Sequence, residues 1–163
     1  MKHSDFVIYN TYQCYLKDTT NHLEQDVQIA QDLRFAAWGC KLVRGAYLQA
    51  ETKSFYEQKI PSFPLHKTFA DTSRSYNSAM SSLFKELTMG KNLHLTIATH
   101  NLDSIELGLK LFKDNKKLMD RVNFAQINGL ADPISLALSR ESVKVLKLIP
   151  CGSVEEVLPW LGR

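Results

Sequence analysis

The chain has 163 residues, of which 44% are hydrophobic and 23% are charged. This length and composition are typical of one globular domain with a sizeable core. The formal net charge is only +3, without long blocks of one sign, so nucleic acid is not expected as a partner and an anionic membrane surface gains no support. No apolar run approaches the roughly 18 residues of a membrane helix, and residues 1–5 resemble no signal or transit peptide.

The three cysteines, Cys14, Cys40 and Cys151, form neither a Cys-x-x-Cys pair nor a cluster with zinc-site spacing. So few cysteines in a chain of this length predict no disulfide scaffold and no metal site. We interpret each of them as a small buried hydrophobic residue in a reducing compartment.

In the first half of the chain, short apolar runs alternate with helical periods. Residues 6–9 predict a buried strand that runs on towards Gln13, and residues 41–43 predict the next strand. Between them a helix ended by Gly39 is predicted, from a stripe with steps of three and four at Leu23, Val27, Ala30, Leu33 and Ala37. A helical segment after Tyr47 loses its pattern around residues 61–64.

The second half continues the alternation, with strands predicted at 93–98, 122–125 and 143–149. A helix before Gly90 and another before the fourth strand follow from the stripes Tyr76, Met80, Leu83, Leu87 and Leu102, Ile105, Leu109, Phe112. Asp132 is predicted to cap a helix that has Pro133 at its first position. Residues 153–156 match a capping box, which predicts that the last helix begins there.

This order of strand and helix, repeated five times, predicts an α/β fold with a parallel sheet and right-handed crossovers. Two architectures remain open, a doubly wound sheet and part of a (β/α)₈ barrel. A whole barrel needs about 250 residues, so this chain can supply only some of one. In both architectures, binding sites collect where the carboxyl ends of the strands meet.

Polar residues stand beside small ones at four of the five predicted strand tips, which lets a flat or phosphorylated ligand approach the backbone. The tips lie at Gln13, 44–47, 99–101, 126–129 and 150–152. The usual glycine-rich nucleotide-binding signatures are missing from the sequence.

Each tip residue also has a purely structural interpretation. Lys41 could protect a sheet edge, and Arg44 could pair with a surface carboxylate. Residues 99–101 could simply cap the following helix, and Gln126 could satisfy backbone groups at the rim. Tyr47 could belong to the core. Taken singly, none of these residues specifies a function.

The segment 41–47, Lys-Leu-Val-Arg-Gly-Ala-Tyr, resembles a hallmark of the proline dehydrogenase family. Four further blocks, at 10–17, 98–101, 124–129 and 149–161, are similar to family blocks in the same order and spacing. The resemblance covers nearly the whole chain and includes the hydroxyproline dehydrogenase sister group. It implies a distorted (β/α)₈ barrel of the TIM-barrel type that holds FAD.

The resemblance also implies a reaction. L-proline is oxidised at its ring C–N bond to 1-pyrroline-5-carboxylate, a hydride passes to flavin N5, and the electrons go on to a membrane quinone. A mitochondrial location with peripheral membrane association is implied as well.

Particular roles follow from the same resemblance. Flavin contacts are implied for Gln13, Lys41, Val43, Arg44, Gly45, Ala46, Tyr47, Thr99, His100 and Gln126. Lys41 is implied to act catalytically beside flavin N5, where a cation favours the reduced, electron-rich ring. Substrate contacts are implied for Ala46, Tyr47, Ile127, Leu148, Trp160 and Arg163. Arg163 matches the first of two arginines that clamp the substrate carboxylate, a task that suits arginine better than lysine.

By this resemblance, residues 1–163 are the C-terminal portion of a single barrel domain, corresponding to about strands four to eight. The second clamp arginine, a glutamate one turn further on, and an upstream lysine and aspartate are not in the sequence. Five strands cannot close a barrel, so the chain by itself is expected to bind FAD weakly or not at all and not to turn over. The alternatives are an inactive fragment or non-catalytic relative, an unrelated flavin- or phosphate-binding barrel, and a protein-interaction domain.

Leu148 does not decide between L-proline and trans-4-hydroxy-L-proline as the substrate. The resemblance implies tyrosine at this position in proline-specific members and a smaller residue in the hydroxyproline group. Leucine gives the extra hydroxyl of trans-4-hydroxy-L-proline more room than tyrosine would, yet offers it no hydrogen bond. Both substrates are therefore kept as expectations.

Overall fold

A computed structural model of the chain describes residues 7–32, 37–59, 61–118 and 120–161, without the side chains of Lys116, Trp160 and Leu161. Strands and helices alternate along the described residues. The strands are β1 (Val7–Gln13), β2 (Ala37–Val43), β3 (Leu93–Ala98), β4 (Val122–Ile127) and β5 (Lys144–Leu148). The helices are α1 (Thr19–Asp32), α2 (Leu48–Glu57), α3 (Phe69–Thr88), α4 (Leu102–Lys113), α5 (Asp132–Arg140) and α6 (Val154–Leu161), with a 3₁₀ turn at Lys116–Leu118.

The five strands form one parallel sheet in the order β1-β2-β3-β4-β5. One face of this sheet packs against α1, α3, α4 and α5 through a single buried apolar cluster, and we call it the helix face. Sequential strand order with helices on one face is the arrangement of a (β/α)₈ barrel, whereas a doubly wound sheet reverses its order and carries helices on both faces. The α/β fold of the barrel type is therefore confirmed.

The core of the helix face is built from alternate residues of each strand. Leu42, Ile97 and Phe124 are fully buried and pack with Tyr76 and Met80 of α3. Burying a side chain of this size contributes roughly 1.5–3 kcal/mol. This packing fixes which face of each strand the intervening residues must occupy, because successive side chains point to opposite faces.

The opposite face, which we call the open face, carries a polar row across the whole sheet. Register pairs Thr11 with Lys41, Lys41 with Thr96, Thr96 with Asn123, and Asn123 with Lys144. Asn123 is only 7% exposed, and its Oδ1 atom has no hydrogen-bond partner in the described part of the chain. This row is too polar to form an apolar core, which makes the open face the candidate surface for a ligand.

Two predicted helix boundaries are wrong. The first helix ends at Asp32, and both Ala37 and Gly39 lie in β2. Gly39 is not a helix cap, because it packs beneath the ring of Tyr9, where a Cβ atom would come within 2.6 Å of that ring. In the fifth helix, Ala131 occupies the N-cap and Asp132 is already helical.

The other predicted elements are confirmed, with ends shifted by at most a few residues. Phe6 and Leu33 lie outside the described residues. The cysteines are free: Cys14 and Cys40 are buried as expected, whereas Cys151 is exposed, contrary to expectation. In the part of the chain that the structure describes, no helix has both the length and the apolar character needed to cross a membrane.

Candidate functional site

The carboxyl ends of the strands bring the predicted site residues together but divide them between the two sheet faces. By strand alternation and register, the open face receives Gln13, Lys41, Val43, Ile127 and Leu148. Arg44, Thr99 and Gln126 instead bond to groups of the helix face. The two groups therefore have different roles available to them.

Lys41 lies in the middle of the polar row on the open face. It is partly buried, and β2 is hydrogen-bonded to strands on both sides. The interpretation of Lys41 as an edge lysine is therefore wrong. No hydrogen bond or ion pair engages its ammonium group within the described residues, so its charge is available to a ligand on this face.

The tip of β2 is fastened to the end of β1. Gln13 Oε1 accepts a hydrogen bond from the Ala46 backbone N–H at 3.1 Å, and the Tyr15 N–H donates to the Arg44 carbonyl at 2.7 Å. Gly45 has φ +145°, and a Cβ atom there would lie 1.3 Å from Cδ1 of Tyr15. Only glycine fits this close approach, so the ring of Tyr15 fixes the course of residues 44–47.

Arg44 turns away from the open face into the helix layer. Its guanidinium donates to Thr99 Oγ1 at 2.6 Å and to Ser104 Oγ at 2.7 Å, and its Cζ atom lies 4.6 Å from the centroid of the Tyr76 ring. These partners are hydroxyl groups and a ring rather than the expected carboxylate. Burial lowers the pKa of Arg44 from its ordinary value, but arginine stays charged at any working pH.

The partners of Arg44 also hold the beginning of α4. Ser104 Oγ donates to Asn77 Oδ1 at 2.5 Å, and Asn101 Oδ1 accepts from the Ser104 N–H at 3.0 Å. The interpretation of Asn101 as a helix cap is confirmed. Arg44 thus ties the tip of β2 to the tip of β3 and to the first turn of α4.

Gln126 makes the corresponding link between β3, β4 and α5. It is 3% exposed, its Nε2 atom donates to the Thr99 carbonyl at 3.3 Å, and its Oε1 atom accepts a short hydrogen bond from Ser135 Oγ. The structural interpretation of Gln126, that it satisfies backbone groups at the rim, is therefore confirmed. A flavin contact of Gln126 stays a prediction.

His100 makes a second link between the ends of β3 and β4. Its Nε2 atom accepts a hydrogen bond from the Ile127 backbone N–H at 3.0 Å. Burial, and secondarily the charge of Lys147, lower the pKa of His100 below its ordinary value. The imidazole is therefore held in its neutral form, as an acceptor must be.

The remaining predicted residues complete the rim. Tyr47, at 47% exposure, is not a core residue, and Ala46 beside it is also exposed. Leu148, at 44% exposure, ends β5 on the open face. The side chain of Trp160 and all of Arg163 lie outside the described residues, so their substrate contacts stay predictions.

Sequence reasoning missed the partners that immobilise these tips, chiefly Tyr15, Asn77, Ser104 and Ser135. Ser104 carried a weak signal, because it stands three residues after a predicted N-cap, where the capped N–H belongs. The others contact residues of other elements, and no local pattern marks them.

The fold is that of an α/β barrel-type chain, and the carboxyl ends of its strands carry the candidate site. The sequence matches the family model described as "Proline dehydrogenase" over residues 1–163. The chain belongs to the proline dehydrogenase family, the group that includes the hydroxyproline dehydrogenases.

Curated relatives carry both names. The chain is 38% identical over 161 residues to "Proline dehydrogenase 1, mitochondrial" of Dictyostelium discoideum, which covers 96% of this chain and 28% of the relative. It is 39% identical over 158 residues to "Hydroxyproline dehydrogenase" of Bos taurus, which covers 96% of this chain and 34% of the relative. The chain therefore spans about a quarter to a third of the length of these relatives.

Solved structures support the fold. Proline utilization A from Bdellovibrio bacteriovorus, inactivated by N-propargylglycine, superimposes with a TM-score of 0.81 over 94% of this chain and 15% of that chain. The sequence identity is 19%, so this likeness shows the fold alone.

Proposed function

We propose that the chain is the C-terminal portion of the catalytic barrel of an FAD-dependent dehydrogenase that oxidises L-proline to 1-pyrroline-5-carboxylate. One observation carries the proposal: the family match spans residues 1–163. In agreement with it, Gln13, Lys41 and Ile127 lie on the open face of the same sheet, on β1, β2 and β4. In barrels of this type the chemistry takes place at those tips.

The open face fits a flavin. The ammonium group of Lys41 has no partner among the described residues, and it would set a positive charge beside the electron-rich part of the ring. Gln13 Oε1 accepts from the Ala46 N–H, so its NH₂ group would be the donor to a ligand. Gly45 and Ala46 bring exposed backbone to the same place. When bound, FAD would accept the hydride that the substrate loses.

The substrate would lie between the flavin and the rim of the open face. Ile127 and Leu148, register partners at the ends of β4 and β5, would pack against the pyrrolidine ring. Ala46 and Tyr47 would close the site from the β2 side. Arg163 would bind the substrate carboxylate, and Trp160 would cover the ring. The ring nitrogen loses a proton and the adjacent carbon a hydride, which forms the C=N bond of the product.

A second candidate substrate is trans-4-hydroxy-L-proline. Leu148 favours it, because an exposed leucine at the end of β5 leaves space for a hydroxyl group on the ring. The Bos taurus relative named hydroxyproline dehydrogenase is 39% identical to this chain, and the Dictyostelium discoideum proline dehydrogenase is 38% identical. Residue 148 is thus the position at which the two substrates would be distinguished.

The electron acceptor and the location belong to the same proposal. We infer that the reduced enzyme passes its electrons to a quinone, which requires peripheral contact with a membrane. Several relatives are named mitochondrial, which supports a mitochondrial location for this protein.

The test is to express the protein from its complete reading frame, to measure bound flavin, and to follow reduction of a quinone or dye with each substrate. The proposal predicts bound FAD and reduction that depends on L-proline or trans-4-hydroxy-L-proline. A protein that takes up no flavin, or a flavoprotein that is inert to both amino acids, would contradict it.

A further inference from the structure

The hydrogen-bond ladder between β3 and β4 ends irregularly at Ile127, the residue proposed to contact the substrate ring. The last regular backbone bond runs from the Thr99 N–H to the Ala125 carbonyl at 3.2 Å. In an evenly spaced parallel ladder, the next bond would run from the Ile127 N–H back to the Thr99 carbonyl. Here two side chains take the places of those two backbone partners.

Each of the two backbone groups has a side chain as its partner in place of the other backbone group. The Thr99 carbonyl accepts from Gln126 Nε2 at 3.3 Å, and the Ile127 N–H donates to His100 Nε2 at 3.0 Å. The imidazole therefore acts as a stand-in for a backbone carbonyl and extends the β3–β4 pairing by one residue. Without it, the Ile127 N–H would lose its partner at a partly buried position.

This geometry indicates a role for His100 in placing Ile127. The role rests on the proposed function, because it requires a substrate next to Ile127. We infer that His100 is a positioning residue: its neutral imidazole, protonated on Nδ1, holds the Ile127 backbone so that the Ile127 side chain meets the substrate ring. The Nδ1–H group remains as a donor on the far side of the ring. This role differs from a direct flavin contact, because it acts through Ile127.

Charged groups around the imidazole favour this state. Lys147, on the neighbouring strand β5, is the charge that disfavours an imidazolium at His100. Lys147 is itself held by Asp132 at the start of α5, at 2.6 Å. A protonated imidazole would have an N–H group facing the Ile127 N–H, so protonation breaks the bond that fixes the β4 tip.

Glutamine and asparagine at position 100 form a matched pair of variants, because they differ in how far the amide oxygen reaches. The amide oxygen of glutamine reaches the position of Nε2 and can accept the Ile127 N–H, whereas that of asparagine reaches only the position of Nδ1. His100→Gln should therefore keep the link, and His100→Asn should lose it while keeping a similar polarity. Both substitutions are made in the protein expressed from its complete reading frame, with its flavin.

The first readout does not require activity. In ¹⁵N-histidine-labelled protein, the histidine signal that His100→Gln removes should show the neutral Nδ1–H tautomer. Exchange of the Ile127 amide hydrogen should be slow in the wild type and in His100→Gln but faster in His100→Asn. An Nε2–H tautomer, or equal exchange in all three proteins, would overturn the assignment.

The second readout separates positioning from a merely structural role. We expect His100→Asn to raise KM for the substrate by about three- to tenfold with a smaller change in kcat, and His100→Gln to stay within about threefold of the wild type. Equal losses in both variants would contradict the inference. A wild type that is inert to both substrates would instead contradict the proposed function, while the tautomer and exchange results still decide the role of His100.

Discussion

The two faces of the sheet use the same strand tips differently. On the open face, Lys41 and Gln13 present groups that the described residues leave available to a ligand. On the helix face, Arg44 bonds to Thr99 and to a hydroxyl group of α4, and Gln126 bonds to Thr99 and to a hydroxyl group of α5. A contiguous motif such as residues 41–44 thus contains candidate ligand-binding residues on one face and structural residues on the other, because strand side chains alternate.

Mutations on the two faces are therefore expected to have different effects. Substitutions on the helix face should lower the free energy of unfolding and act on the reaction only indirectly. Substitutions on the open face should change the reaction with little effect on stability.

The largest effect is expected at Gly45, where the two faces meet. In Gly45→Ala the new Cβ atom would overlap the Tyr15 ring at a backbone conformation that favours glycine. We expect a loss of about 4 kcal/mol in unfolding free energy, measured by urea denaturation, together with loss of flavin. Gly129→Ala is the control, since φ is +83° there but no atom lies within 4 Å of the added Cβ. It should cost about 1 kcal/mol. Equal costs would show that Tyr15 does not fix the tip.

Arg44→Met should give the next largest loss, about 3 kcal/mol, because Thr99 and Ser104 lose a charged donor in a partly buried site. Lys110→Met, an exposed change of the same charge on α4, should stay within about 0.5 kcal/mol. Both are measured by urea denaturation of the flavin-free protein. If the two variants unfold alike, Arg44 does not brace the tips.

Gln126→Leu should destabilise the protein by about 2 kcal/mol, since the Thr99 carbonyl and the Ser135 hydroxyl both lose a buried partner. In a double-mutant cycle with Ser135→Ala, part of this loss should be shared between the two sites. Additive losses would mean that the bond between Gln126 and Ser135 contributes nothing.

His100 should make stability depend on pH. Its pKa in the folded protein lies below the ordinary 6.5, so its stabilising contribution is present above that value and is lost as the pH falls through the lowered pKa. The melting temperature of the wild type should therefore drop more between pH 7 and pH 5 than that of His100→Gln. Parallel curves for the two proteins would contradict a neutral imidazole.

Leu148→Tyr should have the smallest effect on stability, within about 0.5 kcal/mol, because the side chain is exposed at the end of β5. Its effect should fall on substrate choice. We expect kcat/KM for trans-4-hydroxy-L-proline to fall by roughly tenfold relative to that for L-proline. An unchanged ratio would remove residue 148 from the substrate site.

Much of the fold could be predicted, because apolar periodicity marks the buried side of each element. The sequence did not fix the face of Lys41, which follows only once the structure shows that the neighbouring Leu42 is buried on the helix face. Gly39 was misjudged because a glycine after an apolar stripe is a common helix end, and only the tertiary contact with Tyr9 shows otherwise.

The division of the candidate site was harder to predict. Family resemblance placed Arg44, Thr99 and Gln126 in one group with Lys41, since motifs record position along the chain and not the direction of a side chain. The partners that orient them, Asn77 and Ser135 among others, belong to other elements. The link from His100 to Ile127 depends on where the β3–β4 ladder ends, which no local pattern reveals.

The most direct test of the division is reduction of the bound flavin after anaerobic mixing with L-proline or trans-4-hydroxy-L-proline, compared between Lys41→Met and Gln126→Leu. We predict that Gln126→Leu, once loaded with flavin, reduces it within about threefold of the wild-type rate, whereas Lys41→Met slows reduction by at least about a hundredfold, as loss of an electrostatic stabiliser does. Wild-type rates in Lys41→Met, or a larger loss in Gln126→Leu, would contradict the assignment of the chemistry to the open face.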